Sequence, residues 1–421
     1  MMTIIETLRR HSSVSDYKIN VSKKESCELF FVKGRLETVR RTDTCDREVT
    51  VYVDHDGCKG DAQFFVYPST TQEQLDKLVD EAAAKALLIS NKSYELPGCE
   101  TAEYEVESNF SQYDPLELAA NIAEAVEKAN CVENADLNAV EVFINKYTET
   151  VVNSRGLNKT QVRYGAMVEA IPTYNGEEQS VELYEQYNFG DFDAEKIAAE
   201  IAERMAEVKA RYEAVKPEDK LEGSVVLGPI ELASLFMRIA FNLNYSAVYS
   251  HSNLFKKGDR IQKQPEGDLI NIAMAGEIKG CAGSTKFDSD GLSLGCVSLV
   301  KDGVVENYFG SNRFGQYLGE TPTGDMRCMQ VSSGSVKEVK GNYLEVLSMS
   351  GLQVDFFNDY IGGEVRLAYW HEDDKVTPVT GVAISGKLSE VLNHISLSEQ
   401  TAVHNGYTGP AKAVLSHMAI F

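Results

Sequence analysis

Two runs of period-two alternation, each followed by a helical stretch, constrain this chain more than any other feature. Between residues 28 and 67, "ELFFVKGRLETVRR" and "EVTVYVDHDGCKGDAQFFVY" alternate apolar and polar side chains, as half-buried strands do. The segment "DHDG", followed by Cys58 and Lys59, predicts a hairpin turn. The next stretch, "STTQEQLDKLVDEAAAKALLIS", offers Thr70 with Glu73, or Thr71 with Gln74, as a capping box, and Leu75, Leu78, Val79, Ala82 and Ala86 as a helical stripe. Asp114 as N-cap and Pro115 at the first helical position start "DPLELAANIAEAVEKAN". A second meander, "AVEVFINKYTETVVNSRG", then resembles "CELFFVKGRLETVRRTD" in pattern and in letters, Glu37-Thr38-Val39 standing against Glu149-Thr150-Val151. It too runs into a helix, "DAEKIAAEIAERMAEVKARYEA", with Ile197, Ile201, Met205, Val208 and Tyr212 on one face. The first half therefore reads as a diverged duplication of a strand-meander-plus-helix unit. Ahead of it, "MMTIIETLRRHSSVSD" carries charges through its apolar part and reads as a short helix, not a secretory signal.

At 421 residues two domains are the default expectation. The Pro, Gly and charge cluster "VKPEDKLEG" (215–223) marks the boundary after a long helix. We expect an N-terminal α+β domain over 1–217 and a β-rich domain over 222–421. In the second, "GLSLGCVSLV", "VVENYFG", "NYLEVLSMSG", "GEVRLAYW", "VTPVTGVAISG" and "AKAVLSHMAIF" are separated by turn signals such as "KDG", "IGG" and "HEDDK". That density predicts a closed or sandwiched sheet that hides its edges. The fold class is α+β.

A net charge of -23 with no Lys/Arg run argues against nucleic acid and anionic membranes as partners, because phosphate binding needs a basic footprint. No apolar run approaches bilayer length. The eight cysteines are scattered, without a CxxC pair or a histidine at zinc-ligand spacing. Reduced thiols in a cytoplasm are the expected state.

Motifs for phosphate cradles (GxxxxGK[ST], GxGxxG) and the GxSxG elbow are absent. "DHD" at 54–56 sits at a hairpin tip, where turn geometry explains it. "WHEDDKV" (370–376) begins like a zinc-peptidase helix, but Lys375 and Val376 stand where a second histidine is required. The flanking alternation makes it a hairpin. His404, in the Gly-rich "TAVHNGYTGP", lies in what reads as a loop, a common place for ligand-holding residues. His11, His251, His394 and His417 stand isolated.

The segment "VVLGPIELASLFMRIAFNLNYSAVY" (225–249) opens the second domain as a strand and a helix. Leu232, Leu235, Phe236, Ile239, Ala240 and Leu243 form an apolar stripe with no catalytic group. Around it, "FDSDG", "LVKDGVVENYFGSNRFGQYLG", "TPTG", "WHEDDKVTPVTGVAISGKLSEVLNHI" and "GYTGPAKAVLSHMAI" occur in an order that resembles the TldD/PmbA (TldD/TldE) family, once described as modulators of DNA gyrase. The resemblance covers nearly the whole chain. It implies a zinc metallopeptidase fold whose catalytic members carry HExxxH on the first helix of the C-terminal domain and a late cysteine from a Gly-rich loop. Here Phe236 and Phe241 stand where the histidines would be and Met237 where the glutamate would be. Residues 225–249 contain no histidine, and no cysteine follows Cys328.

The chain thus resembles the TldE/PmbA branch, with its zinc ligands replaced by core side chains. The resemblance implies no catalytic residue and no metal in this chain, and zinc in a TldD-like partner subunit. That partner forms a heterodimer or higher assembly with it, or the chain forms a homodimer, and the complex acts on peptides and small unfolded proteins. Asp355, Asn358, Tyr360, Gly362, Gly363 and His404 are candidates to line the peptide cleft. Two other readings stay open: a stand-alone homo-oligomeric peptide-binding protein without peptidase activity, and a divergent hydrolase using His404 and His371. A direct action on gyrase finds no DNA-contacting surface at this charge.

Overall fold

The computed structural model describes residues 1–421, the side chain of Met2 excepted. The first half contains α1 (Met2–Arg10), β1 (Asp16–Val32), β2 (Arg35–His55), β3 (Cys58–Phe65), α2 (Gln72–Ala86), β4 (Asn91–Lys92), β5 (Thr101–Glu105), α3 (Pro115–Lys128), β6 (Ala135–Asn153), β7 (Asn158–Asn175), β8 (Ser180–Glu182), β9 (Glu185–Phe189) and α4 (Ala194–Glu213). The strands form one sheet in the order β4-β3-β2-β1-β6-β7-β5, with β8 and β9 also pairing β7. The duplication is visible in the element order: α1-β1-β2-β3-α2 is repeated by α3-β6-β7-(β8, β9)-α4. The units join through β1 and β6, antiparallel from Lys18↔Asn153 to Val32↔Ala139.

The matching tripeptides do not mark this equivalence. Glu37–Val39 lies in β2, whereas Glu149–Val151 lies in β6, the first strand of its unit. Two-residue periodicity specifies only which side chains face inward, so short strand segments match out of register at little cost.

Local signals account for the helix starts. Thr71 and Gln74 form the capping box of α2, with Gln74 N donating to the Thr71 hydroxyl at 3.2 Å. Asp114 accepts from Leu116 N and Glu117 N, and Pro115 occupies the first turn of α3. The "DHDG" turn places Asp56 and Gly57 at positive φ (49° and 76°), as a tight two-residue hairpin requires. Ile4, Leu8, Ile19, Val49, Val51, Leu75 and Val79 make the core of the first unit. Leu118, Ile122, Val142, Val168, Ile201 and Met205 make that of the second.

From Ser224 the chain builds β10 (Ser224–Leu227), α5 (Pro229–Asn242), α6 (Tyr245–Tyr249), β11 (Ile272–Ala275), β12 (Cys296–Lys301), β13 (Val304–Val305), α7 (Asn312–Leu318), β14 (Cys328–Val331), β15 (Tyr343–Met349), β16 (Gln353–Asp355), β17 (Tyr360–Glu372), β18 (Lys375–Val379), β19 (Val382–Lys387), α8 (Leu388–His394), β20 (Ser396–Leu397), β21 (Thr401–His404), β22 (Tyr407–Pro410), β23 (Ala413–Leu415) and β24 (Met418–Ile420). One sheet runs β20-β23-β10-β15-β17-β19-β24, with β16 and β18 on β17; the other runs β13-β12-β11-β14-β22-β21. Neither closes into a barrel. They share one core, to which α5 and its C-cap Leu243 contribute six side chains, and α5 packs against strands of both sheets. Of the segment "GLSLGCVSLV", only the second half becomes a strand, because Gly291 turns the chain at φ 84°.

Gly60 in β3 passes so close to the end of α2 that a Cβ there would lie 1.8 Å from Ala86 O. Gly60→Ala is expected to lower the unfolding free energy by about 1–3 kcal/mol. Gly98→Ala, where nothing lies within 4 Å of the added Cβ, should leave the urea midpoint nearly unchanged.

Candidate functional site

Helix α5 begins at Pro229, its first-turn residue after Gly228. Leu232, Leu235, Phe236, Ile239, Ala240 and Leu243 are wholly buried, as their helical spacing dictates. Met237 is half-buried against the same core. Phe241 is not a core side chain: it is 57% exposed. The reason is geometric, since residues five apart on a helix of 3.6 residues per turn stand about 140° from each other. The helix can seat Phe236 between the sheets or Phe241, not both.

Zinc takes imidazole nitrogen, thiolate sulfur and carboxylate oxygen. A phenyl ring has no lone pair to offer and the Met237 thioether is a weak, soft donor, so the α5 side chains do not fit that ion. Among the described residues, no grouping of three or more His, Cys, Asp or Glu side chains could hold a metal.

The hairpin β21–β22 packs against α5, and at its tip lies His404. This segment is not a loop. His404 ends a strand, and Asn405 (φ 50°) with Gly406 makes the turn. An Asn-Gly pair between alternating residues is a strong hairpin signal, which the glycine content of the stretch obscured. Asn188 in β9 donates from its backbone N (3.1 Å) and its Nδ2 (3.2 Å) to Asn405 Oδ1, and Asn405 Nδ2 lies 3.0 Å from His404 Nε2. A cavity of about 170 Å³ opens here, lined by Tyr187, Lys196, Glu200, Lys279, His404 and Asn405 among others. Burial, with Arg204 and Lys196 nearby, holds the His404 imidazole below its ordinary range and so neutral.

Beside the cavity, α4 carries Arg204, which bonds Glu207 and lies 3.8 Å from Glu185. Glu207 Oε1 and the Tyr187 hydroxyl are buried without a partner. Burial also pushes the carboxyl of Glu231, in the first turn of α5, up to about 7. None of these acidic and tyrosine groups stood out in the sequence. Arg204 and Glu207 lie in "ERMAEVKARYE", where the packing of α4 against other elements, β7 and β18 among them, buries them.

The other candidates lie elsewhere. Asp355 accepts from Phe357 N (2.9 Å), Asn358 N (3.0 Å) and Asn358 Nδ2 (2.7 Å), which explains it as a turn cap. Tyr360, Gly362 and Gly363 belong to β17. Added Cβ atoms at the two glycines would meet Ile384 O at 2.4 Å and Gly351 O at 2.5 Å, so close strand approach accounts for them. This hairpin sits in the nine-stranded sheet and His404 in the six-stranded one; no hydrogen bond among the described residues joins them. The other two motifs behave as turns. His55 Nε2 contacts Ile89 O at 3.0 Å. His371 pairs with Glu345 at 2.9 Å and stacks on Tyr343.

A duplicated sheet thus carries a two-sheet domain whose first helix lies beside a late hairpin. Residues 222–420 match the family model of the PmbA/TldA metallopeptidase C-terminal domain. On that domain the chain is assigned to the TldD/PmbA family. It is 26% identical over 157 residues to a metalloprotease TldD homolog of Haemophilus influenzae, and 23% identical over 193 residues to a metalloprotease PmbA homolog of the same organism. These matches span 33% and 42% of each chain. The fold is that of TldE from Thermococcus kodakarensis (TM-score 0.81, 15% identity, 99% of both chains). A Thermotoga maritima protein named as a modulator of a DNA gyrase shares it as well (TM-score 0.75, 15% identity, 100% of both chains).

Phe236→Ala should cost about 3–5 kcal/mol of stability in urea unfolding, and Phe241→Ala no more than about 0.5 kcal/mol. Glu231 has a folded-state pKa raised from 4.5 to about 7, so its protonated form favours the native state. That contribution is full below pH 4.5 and lost as pH rises through about 7. Glu231→Gln is therefore expected to flatten the fall in thermal midpoint across this window, and an unchanged slope would contradict the assignment.

Proposed function

We propose that this chain is the non-catalytic, TldE/PmbA-like subunit of a TldD/TldE-type zinc metallopeptidase complex of the cytoplasm. Family membership supplies the reaction class, and α5 supplies the specific reading. At the place where the resemblance puts a zinc-binding HExxxH, this helix carries Phe236, Met237 and Phe241, with Phe236 wholly buried in the core. That observation carries the proposal. The absence of any cysteine after Cys328 points the same way.

In this reading zinc and the water it activates belong to a TldD-like partner, and the present chain completes the chamber that holds a peptide or small unfolded protein. Strand-by-strand capture of an extended peptide needs backbone edges and side-chain pockets but no metal. The small cavity at His404, between β9, α4 and the β21–β22 hairpin, has the polar lining for contact with a peptide backbone. Glu231, Glu207 and Arg204 act there as buried scaffolding.

The test is recovery of the tagged full chain from its native cells, with mass spectrometry of co-purifying proteins and zinc analysis. The expected result is a co-eluting HExxxH protein that carries the zinc, while the chain alone binds none stoichiometrically and leaves an unfolded peptide intact. Stoichiometric zinc or peptide hydrolysis by the isolated chain overturns the proposal. Recovery of the chain alone and metal-free would instead favour a stand-alone peptide-binding protein.

A further inference from the structure

Cys281 and Cys328, 47 positions apart in the chain, hold their Sγ atoms 3.4 Å from each other. Both are buried, and with Ala275 and Ile278 they form a small cluster of their own. Cys328 opens β14, where it pairs with Ala275 of β11. Cys281 sits in the turn that follows β11: its N donates to Ile278 O at 3.0 Å, and its O accepts from Ser284 N at 3.1 Å. That turn is also where the second domain touches the first sheet. Gly190 N, just beyond β9, donates to Gly280 O at 2.7 Å, and a Cβ at Gly165 in β7 would lie 3.3 Å from the Cβ of Ala282. On the other side Met329, next to Cys328, donates from its N to Gly406 O at 2.7 Å, in the hairpin that carries His404.

A thiol reacts as its thiolate, and the two sulfurs are not equivalent. The contact with the Cys328 thiol, then the donors of Gly283 and Ser284, bring the Cys281 thiol below its ordinary range against the opposing effect of burial; Gly283 N donates to Cys281 Sγ at 3.3 Å. The same contact, followed by burial, holds the Cys328 thiol up and so protonated. One sulfur is thus set to attack and the other to donate a proton. Their cover is thin. A Cβ at Gly283 would lie 3.5 Å from Cys281 Sγ and 3.6 Å from Cys328 Sγ, so at this half-buried position the missing side chain leaves both sulfurs behind backbone alone. A disulfide bond is about 2.05 Å long, which a small movement of the glycine-bearing turn 280–283 can reach.

We propose that Cys281 and Cys328 are a peroxide-reactive dithiol that closes to a reversible intramolecular disulfide and so clamps the junction of the two domains. The Cys281 thiolate attacks one oxygen of hydrogen peroxide and the O–O bond breaks. Cys281 becomes a sulfenic acid, and the departing hydroxide takes up the proton that Cys281 gave up on ionising. The Cys328 sulfur then attacks the Cys281 sulfur, the S–O bond breaks, and the hydroxide leaves with the Cys328 proton as a second water. In all, two thiols lose two electrons and two protons, and one peroxide becomes two waters. A dithiol reductant reverses the step by exchange, so the resting state in a reducing compartment is the dithiol. The bond ties the turn that touches β7 and β9 to the strand beside the His404 hairpin. Nothing in this chemistry depends on the zinc-subunit reading.

The test treats the reduced full chain, folded and in urea, with a graded series of hydrogen peroxide, quenches with catalase, alkylates in urea and maps the peptides without reduction. The folded wild type is expected to yield one peptide pair linked through Cys281 and Cys328, which dithiothreitol separates; in urea the link should not form selectively. Cys328→Ser removes the second step, so a sulfenic acid should accumulate at Cys281 and be captured by dimedone, whereas Cys281→Ser should give no adduct at Cys328. In the linked wild type, amide hydrogen exchange over 276–285 should slow about tenfold or more, the effect of a cross-link that holds the turn closed. Two free thiols at 281 and 328 after peroxide overturn the proposal, as does a link that forms only in urea. Either result is read on the wild type, whatever the variants do. Linkage with unchanged exchange over 276–285 excludes the clamp, and a dimedone adduct at Cys328 in place of Cys281 overturns the assigned order of attack.

Discussion

The antiparallel ladder between β1 and β6 is the contact on which the rest of the molecule depends. A hairpin with a helix against one face is too small to hold a core, and an isolated two-stranded ribbon is marginal in water. β1 solves this by serving two cores. Near its start Ile19 packs with Val49 and Val51 under the first pair of helices. Toward its end Cys27 and Leu29 join Val142, Ile144 and Leu118 in the second cluster. Neither helix pair could be removed without uncovering part of the same strand.

β1, together with β7 on the far side of β6, also holds a row of polar groups out of water against the second domain. Lys18 is bonded to Asp290, and Lys159 donates to Ser293 Oγ at 2.8 Å. Gln161 Oε1 accepts from Lys286 N at 2.8 Å, while its Nε2 donates to Phe287 O at 3.3 Å. Buried charges are tolerated only when paired, and here the partners come from the segment after β11. Asp16 follows the same rule. Burial alone would raise its carboxyl, but Arg155, Ser154 and Lys59 bring it below the usual range. The pairings of Lys18, Lys159 and Gln161 tie β1 and β7 to the second domain, and β9 lies alongside β7.

Much of the local structure was legible. The Thr71–Gln74 box, Asp114 with Pro115, the "DHDG" turn and the stripe on α5 each encode a decision made within one turn or one hairpin. The same reasoning read "WHEDDKV" correctly as a turn. It failed where the deciding partner is distant. Phe241 stands with Phe236 at the places the resemblance gives to histidines and counts there as a core side chain, yet which face of α5 is buried depends on sheets contributed from far along the chain. His404 was placed in a loop because glycine was weighed above the Asn-Gly turn. The Asp355–Gly363 group and His404 are candidates for one cleft on the sequence, yet their strands lie in different sheets.

By itself the sequence determined the repeat, the class α+β, the boundaries of the principal helices and that α5 carries neither histidine nor cysteine, since these follow from periodicity, capping and the donor atoms each residue owns. The tertiary structure alone decided which strands pair, that two open sheets share a core around α5, and that ordinary-looking charges such as Glu231 and Arg204 are buried. The physical reason is that side-chain alternation fixes only the inward face of a strand, whereas its neighbour is chosen by packing and backbone hydrogen bonding between residues far apart in the chain.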